Sequence, residues 1–212
     1  MKALLDDEPH DAALNMAIDE TLLRTATQPT LRIYRWARPA LSFGYFGKWS
    51  EAAEIAPGRD IVRRWTGGGI VLHGEDFTFS LIVPRSHSFF RASPGESYRA
   101  IHQCVAQAIG NASLAIATAA GISPSCFENP VQHDVLIANR KVAGGAQRRA
   151  KCGLLHQGSI QTSDEAACLS AALIRVFSAR SIAVPLTVGT QSNAAKLAQE
   201  KYATGEWTRR VL

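Results

Sequence analysis

Several absences narrow this sequence before any motif is read. No apolar run approaches the roughly 18 residues that a membrane-crossing helix needs. The opening "MKALLDDEPHDAALNMAIDE" has Asp6, Asp7, Glu8 and Asp11 where a secretory leader requires an apolar stretch. Cysteine is sparse: Cys104, Cys126, Cys152 and Cys168 contain no CxxC pair. With no export signal, reduced thiols in a cytoplasm are the expectation. Charged residues make up only 19%, and the net charge of +5 is scattered with no lysine-rich tail or aromatic RNA-binding motif. The sequence therefore predicts no membrane and no nucleic-acid partner. A basic surface suits an anionic one. The serine-hydrolase GxSxG is missing, as are the Walker loop, the GxGxxG fingerprint and any recognised zinc spacing, so no metal site is expected.

What is present is an apolar fraction of 46%, enough for a sizeable core in a chain of 212 residues. No repeat or linker divides it, so one domain spanning 1–212 is expected. Asp11 caps an amphipathic stretch, Asp11–Thr25, with Leu14, Ile18 and Leu22 on one face. "LRIYRW" and "LSFGYF" alternate as strands do, and Asp60–Trp65 and Gly69–Val83 add strand material. Ser97–Ala120 reads as one long helix. "HDVLIANRKVAGG" reads as a hairpin with Ala138–Asn139 at its tip, and "LLHQGSIQT" as a further strand. Asp164 caps another helix, and a last one runs from about Asn193 to Ala203. This order predicts an α+β fold, a mixed or antiparallel sheet flanked by helices.

Glycines cluster against the predicted core. "RRWTGGGIVLH" places Arg63 and Arg64 just ahead of Gly67, Gly68 and Gly69, and "RKVAGGAQRR" places Gly144 and Gly145 after Lys141. Glycine lets a ligand or another backbone approach closely, and guanidinium suits phosphate or carboxylate. Two glycine-lined strand ends with one lysine between them predict a narrow slot for an extended ligand.

"RRWTGGGIVLH", "HDVLIANRKVAGGAQRR" and "GLLHQGSI", with "ALNMAIDETLL" and "RPALSFGYF" ahead of them, resemble the biotin/lipoate A/B protein ligase family over residues 11 to 162. The resemblance implies transfer of an octanoyl- or lipoyl-type chain to a lysine of a lipoyl carrier domain. That carrier would be the lipoyl domain of a 2-oxoacid dehydrogenase or the glycine cleavage H protein. It also implies two possible chemistries. A cysteine-dependent octanoyltransferase takes the chain from acyl carrier protein through a thioester, with no cofactor. An ATP-dependent lipoate ligase activates free lipoate with ATP and Mg2+. Cys126, in "SCFENPVQHDV" 15 residues before Lys141, matches the transferases' nucleophile, with Cys152 as second choice. A thiol activated by a nearby cation suits that role. Cys104 and Cys168 are expected in the core.

Lys141 would hold the acyl carbonyl, and Arg63, Arg64, Gly67–Gly69, His73, Asp134, Gly144, Gly145, His156 and Gly158 would line the pocket. His133 is expected to be structural. Three departures favour the ligases or leave doubt: Gly69 stands where such transferases tend to have arginine, Asp134 resembles a ligase Asn-Asp motif, and Gly74 replaces an aspartate. Only about 50 residues follow Thr162, with no room for the ligases' small accessory domain, so a ligase would need a separate subunit. The biotin enzymes' GRGRxG loop is absent. A non-catalytic lipoyl- or biotinyl-binding module is the remaining alternative, against which Lys141 and Cys126 both argue.

Overall fold

The computed structural model describes residues 1–118, 129–161 and 166–211. Its elements in chain order are β1 (Lys2–His10), α1 (Ala12–Thr25), β2 (Thr30–Trp36), β3 (Ala40–Phe43), α2 (Trp49–Ile55), β4 (Asp60–Arg63), β5 (Val71–His73) and β6 (Phe77–Pro84). They continue with α3 (Pro94–Ile109), β7 (Ser113–Leu114), β8 (Val135–Ile137), β9 (Arg140–Ala150), β10 (Gly153–Ile160), α4 (Ala166–Phe177), β11 (Ile182–Val184), α5 (Val188–Leu197) and α6 (Gly205–Arg209). An eight-stranded mixed sheet has the order β11-β1-β2-β6-β10-β9-β8-β7, and a three-stranded sheet the order β4-β3-β5. The expected α+β architecture is present.

Strand alternation gives the large sheet two different faces. Leu31, Ile33, Phe79, Leu81, Leu154 and Ile160 point to one side. There they pack with Ile101 and Val105 of α3 and with Leu169 and Leu173 of α4. The opposite face, under α1, is polar. Across four strands, Arg32, Ser80, Gln157 and Ala146 are successive cross-strand partners. Arg32 is fully buried. It donates to Asp19 at 2.8 Å, to the side chain of Asn15 at 2.7 Å and to Asp6 at 2.7 Å. Asp19 also accepts from Ser80 and from Gln157. Asn15 and Asp19 lie one helical turn apart on α1, so the helix is fixed to the sheet by directed ionic hydrogen bonds. The apolar side of α1 (Met16, Ile18) meets Ala194, Ala198 and Tyr202 of the C-terminal helical segment.

Several expected boundaries move. The long helix starts earlier, at the capping box of Ser93 and Glu96 with Pro94 in its first turn, and stops at Gly110, whose φ is +96°. Its expected extension to Ala120 overlooked that glycine stop. β1 was not anticipated: "DDEPH" looks like solvated loop. Yet Asp6 is spent on Arg32 and His10, and β1 pairs parallel with β2. α2 was also missed. α5 begins at Val188, capped by Thr187, earlier than the expected Asn193. The Asp164 cap lies outside the described residues.

A test of the polar face follows from this. Replacing Arg32 with Met leaves Asp19 and Asp6 buried without their cation, and we expect a loss of about 3–5 kcal/mol in urea unfolding. A loss below about 1 kcal/mol would mean that the network contributes little to holding α1.

Candidate active site

The row of residues next to the Arg32 row forms the floor of a pocket. Tyr34, Thr78, Ser159 and Gly144 are successive cross-strand partners on β2, β6, β10 and β9. All four line one narrow pocket. At about 4.8 Å per strand spacing the row is about 14 Å long, and the free space along it is about 30 Å³. The opposite wall is the small sheet, which contributes Ser42, Val71 and His73, with Arg64 and Gly68 beside it. Met16 of α1 and Trp36 also line it.

Backbone contact packs the loops that follow β3 and β4 tightly together. A Cβ at Gly44 would lie 2.0 Å from the Gly68 carbonyl oxygen, which neither backbone could accommodate. Gly68 has φ +84°, and a Cβ there would stand 3.2 Å from that of Ala146 on β9. The glycine triplet thus crosses from the small sheet to the large one. Arg64 braces it from within, donating to the carbonyls of Gly67 and Gly69 at 3.1 and 2.7 Å.

Lys141 sits beyond the Gly144 end of the row. Its ammonium is buried and pairs with Asp134 at 2.7 Å. Asp134 also accepts from the hydroxyl of Tyr98 at 2.6 Å and from the Val131 amide at 2.8 Å. A Cβ at Gly144 would meet Lys141 Cε at 2.7 Å. This glycine is therefore the seat on which the lysine side chain lies. A cation held rigidly beside a narrow pocket is suited to fixing a carbonyl and stabilising an oxyanion.

The polar groups of the small sheet form a chain. Ser42 Oγ is 2.6 Å from His73 Nε2, and His73 Nδ1 is 2.7 Å from Asp76 Oδ2. Burial lowers the pKa of His73, with Arg64 and Arg59 acting in the same direction against the opposing pull of Asp76. Burial alone would raise the Asp76 carboxyl, but His73, Ser159 and the Gly74 amide outweigh it and hold it below its ordinary value. Trp36 stacks on the imidazole at 4.0 Å and donates its indole N–H to Thr78 at 2.8 Å.

Of the expected lining residues, Arg64, Gly68, His73, Gly144, Gly145 and Gly158 line the pocket, Gly67 and Gly69 do not, and Lys141 and Asp134 adjoin it at Gly144. Two further assignments need correction. The Arg63 guanidinium does not face the pocket, because it donates to the carbonyls of Tyr45, Gly47, Trp207, Thr208 and Arg210 and so ties down the C-terminal segment. His156 lies behind the wall, beside Phe79, Tyr98 and His102, where a Cβ on Gly145 would strike it at 2.5 Å. Burial keeps it, like His102, uncharged. His133 accepts from His102 at its carbonyl, a structural role. Cys168 is exposed, against the core position expected for it, and Cys104 and Cys152 are partly buried. Cys126 lies outside the described residues. Among the described residues no three His, Cys, Asp or Glu side chains are placed to share a metal ion. Ser42, Asp76, Thr78 and Ser159 were not singled out from sequence. For Asp76 and Thr78 the signal was a carboxylate or hydroxyl at every second residue of "DFTFS"; Ser42 and Ser159 stand in no such pattern.

Comparison with known proteins agrees with this architecture. Residues 11–202 match the model of the lipoyl protein ligase A/B catalytic domain. An octanoyltransferase LipM from Oceanobacillus iheyensis is 34% identical over 174 residues, covering 76% of this chain and 64% of its own. One from Staphylococcus aureus is 35% identical over 170 residues, covering 71% and 62%. The chain thus spans a little under two thirds of the length of these relatives. Among solved structures, a lipoate-protein ligase A bound with ATP superposes with TM-score 0.79 at 20% identity, covering 100% of this chain and 99% of its own. A bipartite lipoate protein ligase from Thermoplasma acidophilum, solved in a study of an archaeal lipoylation system, gives 0.76 at 21%, covering 100% and 96%.

The close contact at Gly44 gives a direct test. Gly44→Ala must displace the Gly67–Gly69 loop, so we expect binding of an octanoyl amide to fall by at least about tenfold. Gly58→Ala, at a turn where no atom lies near the added carbon, serves as a control for backbone strain alone. Equal binding by Gly44→Ala and wild type, in calorimetric titration with an octanoyl amide, would show that the contact does not shape the pocket.

Proposed function

The chain belongs to the lipoyl protein ligase A/B catalytic-domain family, and on that premise we propose that it transfers an octanoyl- or lipoyl-type acyl group to a lysine of a lipoyl carrier domain. The donor in this reading is octanoyl-acyl carrier protein, and the route runs through a thioester on Cys126. The observation that carries it is the long narrow pocket leading to the buried Lys141–Asp134 pair.

The acyl chain lies along the row from Gly144 to Tyr34, with its carbonyl at the Lys141 end. The ammonium of Lys141, oriented by Asp134, draws the carbonyl oxygen and stabilises the charge that develops on it. The thiolate of Cys126 attacks the donor thioester. A new C–S bond forms, the old one breaks, and the donor leaves as a thiol. The ε-amine of the acceptor lysine then attacks the cysteinyl thioester, giving an amide and returning the thiol. The route needs neither ATP nor a metal. Support for Cys126 comes from its motif, its offset from Lys141, and relatives at 34% and 35% identity that are named octanoyltransferases.

The ligase reading, with ATP and Mg2+, has one observation of its own. Arg148 and Arg210 both stack on Tyr45, at 5.0 and 4.2 Å from its ring centre, and no carboxylate among the described residues pairs with either. Arg148 follows the pocket residue Ala146 by two positions on the same strand face, where two unpaired guanidinia would suit a nucleotide phosphate. Against it, Asp134 already accepts from Lys141, Tyr98 and Val131, which makes it a poor metal ligand.

Two tests follow. Incubation with octanoyl-acyl carrier protein should add one octanoyl mass to the protein, removable by hydroxylamine and absent in Cys126→Ser. Lys141→Ala should slow transfer by about 10²–10³. Full transfer by Cys126→Ser, with lipoate-dependent ATP consumption by the wild type, would instead establish the ligase reading. The second test concerns chain length. Tyr34, Trp36 and Thr78 close the far end of the pocket, and the same three residues border a cavity of about 550 Å³ beside α4. Trp36→Ala should join the two spaces and raise the preference for dodecanoyl over octanoyl donors by at least about tenfold. An unchanged preference would place the end of the chain elsewhere.

A further inference from the structure

We propose that Asp76, His73 and Ser42 form a latch across the pocket, which positions Arg64 and the Gly67–Gly69 loop and holds only while His73 is uncharged. The inference rests on the acyl-pocket reading above and adds a positioning role that this reading does not require.

The direction of every proton in the chain follows from its two ends. Asp76, as a carboxylate, only accepts: from Ser159 Oγ at 2.6 Å, Thr78 Oγ1 at 3.2 Å, the Gly74 amide at 3.1 Å and His73 Nδ1. Arg64, as a guanidinium, only donates: to Ser42 Oγ at 2.7 Å and to the carbonyls of Gly67 and Gly69. Nδ1 of His73 must therefore carry a proton. The Ser42 oxygen accepts from Arg64, so its own hydrogen is free to go to Nε2 when that nitrogen is bare. The neutral Nδ1–H tautomer is the state in which every hydrogen of the chain, that of Ser42 included, has an acceptor.

The chain also joins the two walls of the pocket. Ser159 on β10 and Thr78 on β6, the donors that anchor Asp76, belong to the large sheet, whereas His73 on β5 and Ser42 on β3 belong to the small one. Arg64 follows β4 and carries the link into the glycine loop, which rests on Ala146 of β9. An imidazolium would break this order. Nε2 would then present a proton to Ser42, whose own hydrogen would have to turn away. A second cation would also stand between Arg64 and Arg59, which donates to the His73 carbonyl at 2.8 Å. Asp76 is the one carboxylate facing the ring from the turn before β6. Trp36, covering the ring face from β2, carries no charge. The low pKa of His73 fits this geometry: the latch is closed at neutral pH and opens as the pH falls. Under this reading one terminal nitrogen of Arg64 holds Ser42 and the other holds the loop carbonyls, a role different from the anion binding that the sequence suggested.

The full chain, labelled with 15N at histidine, would be titrated with N-methyl octanamide, an uncharged probe whose own state does not change with pH. We expect His73 to show the Nδ1–H tautomer at neutral pH, and binding to weaken as the pH is lowered and that signal converts. His73→Gln, which keeps a donor and an acceptor but cannot titrate, should bind within about threefold of wild type and lose the pH dependence, whereas His73→Phe should bind at least about tenfold more weakly at every pH. An Nε2–H tautomer at neutral pH overturns the proposal, whether or not the variants fold. So does a folded His73→Phe protein that binds like wild type, or a His73→Gln protein that keeps the wild-type pH dependence. Because binding is read without transfer, a protein that binds the amide but transfers no acyl group defeats the proposed reaction and leaves the latch standing.

Discussion

The buried guanidinium of Arg32 is the constraint on which the remaining architecture depends. A sheet face covered by a helix is ordinarily apolar, but here the face under α1 carries an arginine, a serine and a glutamine in one cross-strand row. Two aspartates and an asparagine complete their hydrogen bonds. Such a network is a weak source of net stability, because desolvation of the ions offsets much of their attraction. Its value lies in direction. Apolar packing would let α1 slide, whereas Asn15 and Asp19 can reach Arg32 in one register only. With α1 fixed there, the next row of the sheet is left uncovered by the helix backbone and open as the pocket floor.

The pocket is accordingly a product of what lies on both sides of one row. The Arg32 row bounds it on one side through Gln157, which also accepts from Thr66 at the start of the glycine loop. The small sheet closes over it on the other. Glycines are placed where a side chain would strike a neighbouring group of the same wall: Gly44 against Gly68, Gly144 under Lys141, Gly145 against His156, and Gly158 against the ring of Phe79. These are seats for neighbouring protein groups, and the narrow space for a ligand is what remains between them.

Much of this was legible in the sequence. The two glycine clusters and the lysine between them pointed to a slot, and alternation in "LRIYRW" and "FTFSLIV" gave the strands that floor it. The errors have physical causes. β1 was hidden because Asp6 reads as solvated until Arg32, 26 residues later, is brought beside it. Arg63 ends β4 and Arg64 follows it, and the two side chains diverge, so one serves the C-terminal segment and the other the pocket region. No sequence pattern distinguishes them without the register of β4. His156 reads like a site residue because it stands in a motif, yet alternation along β10 turns it away from the face that carries Gln157 and Ser159. The Ser42–His73–Asp76 chain is drawn from two separate segments, and no local spacing announces it.

The central claim is that an acyl chain lies between the two sheets along the row from Gly144 to Tyr34, with its carbonyl at Lys141. A crystal structure with N-octanoyl-lysine amide, the product group, tests it most directly. The account predicts the amide oxygen at about 3 Å from Lys141 Nζ and the alkyl chain crossing over Ser159 and Thr78 to end against Trp36. An octanoyl chain lodged in the cavity beside α4, with Lys141 unengaged, would contradict it.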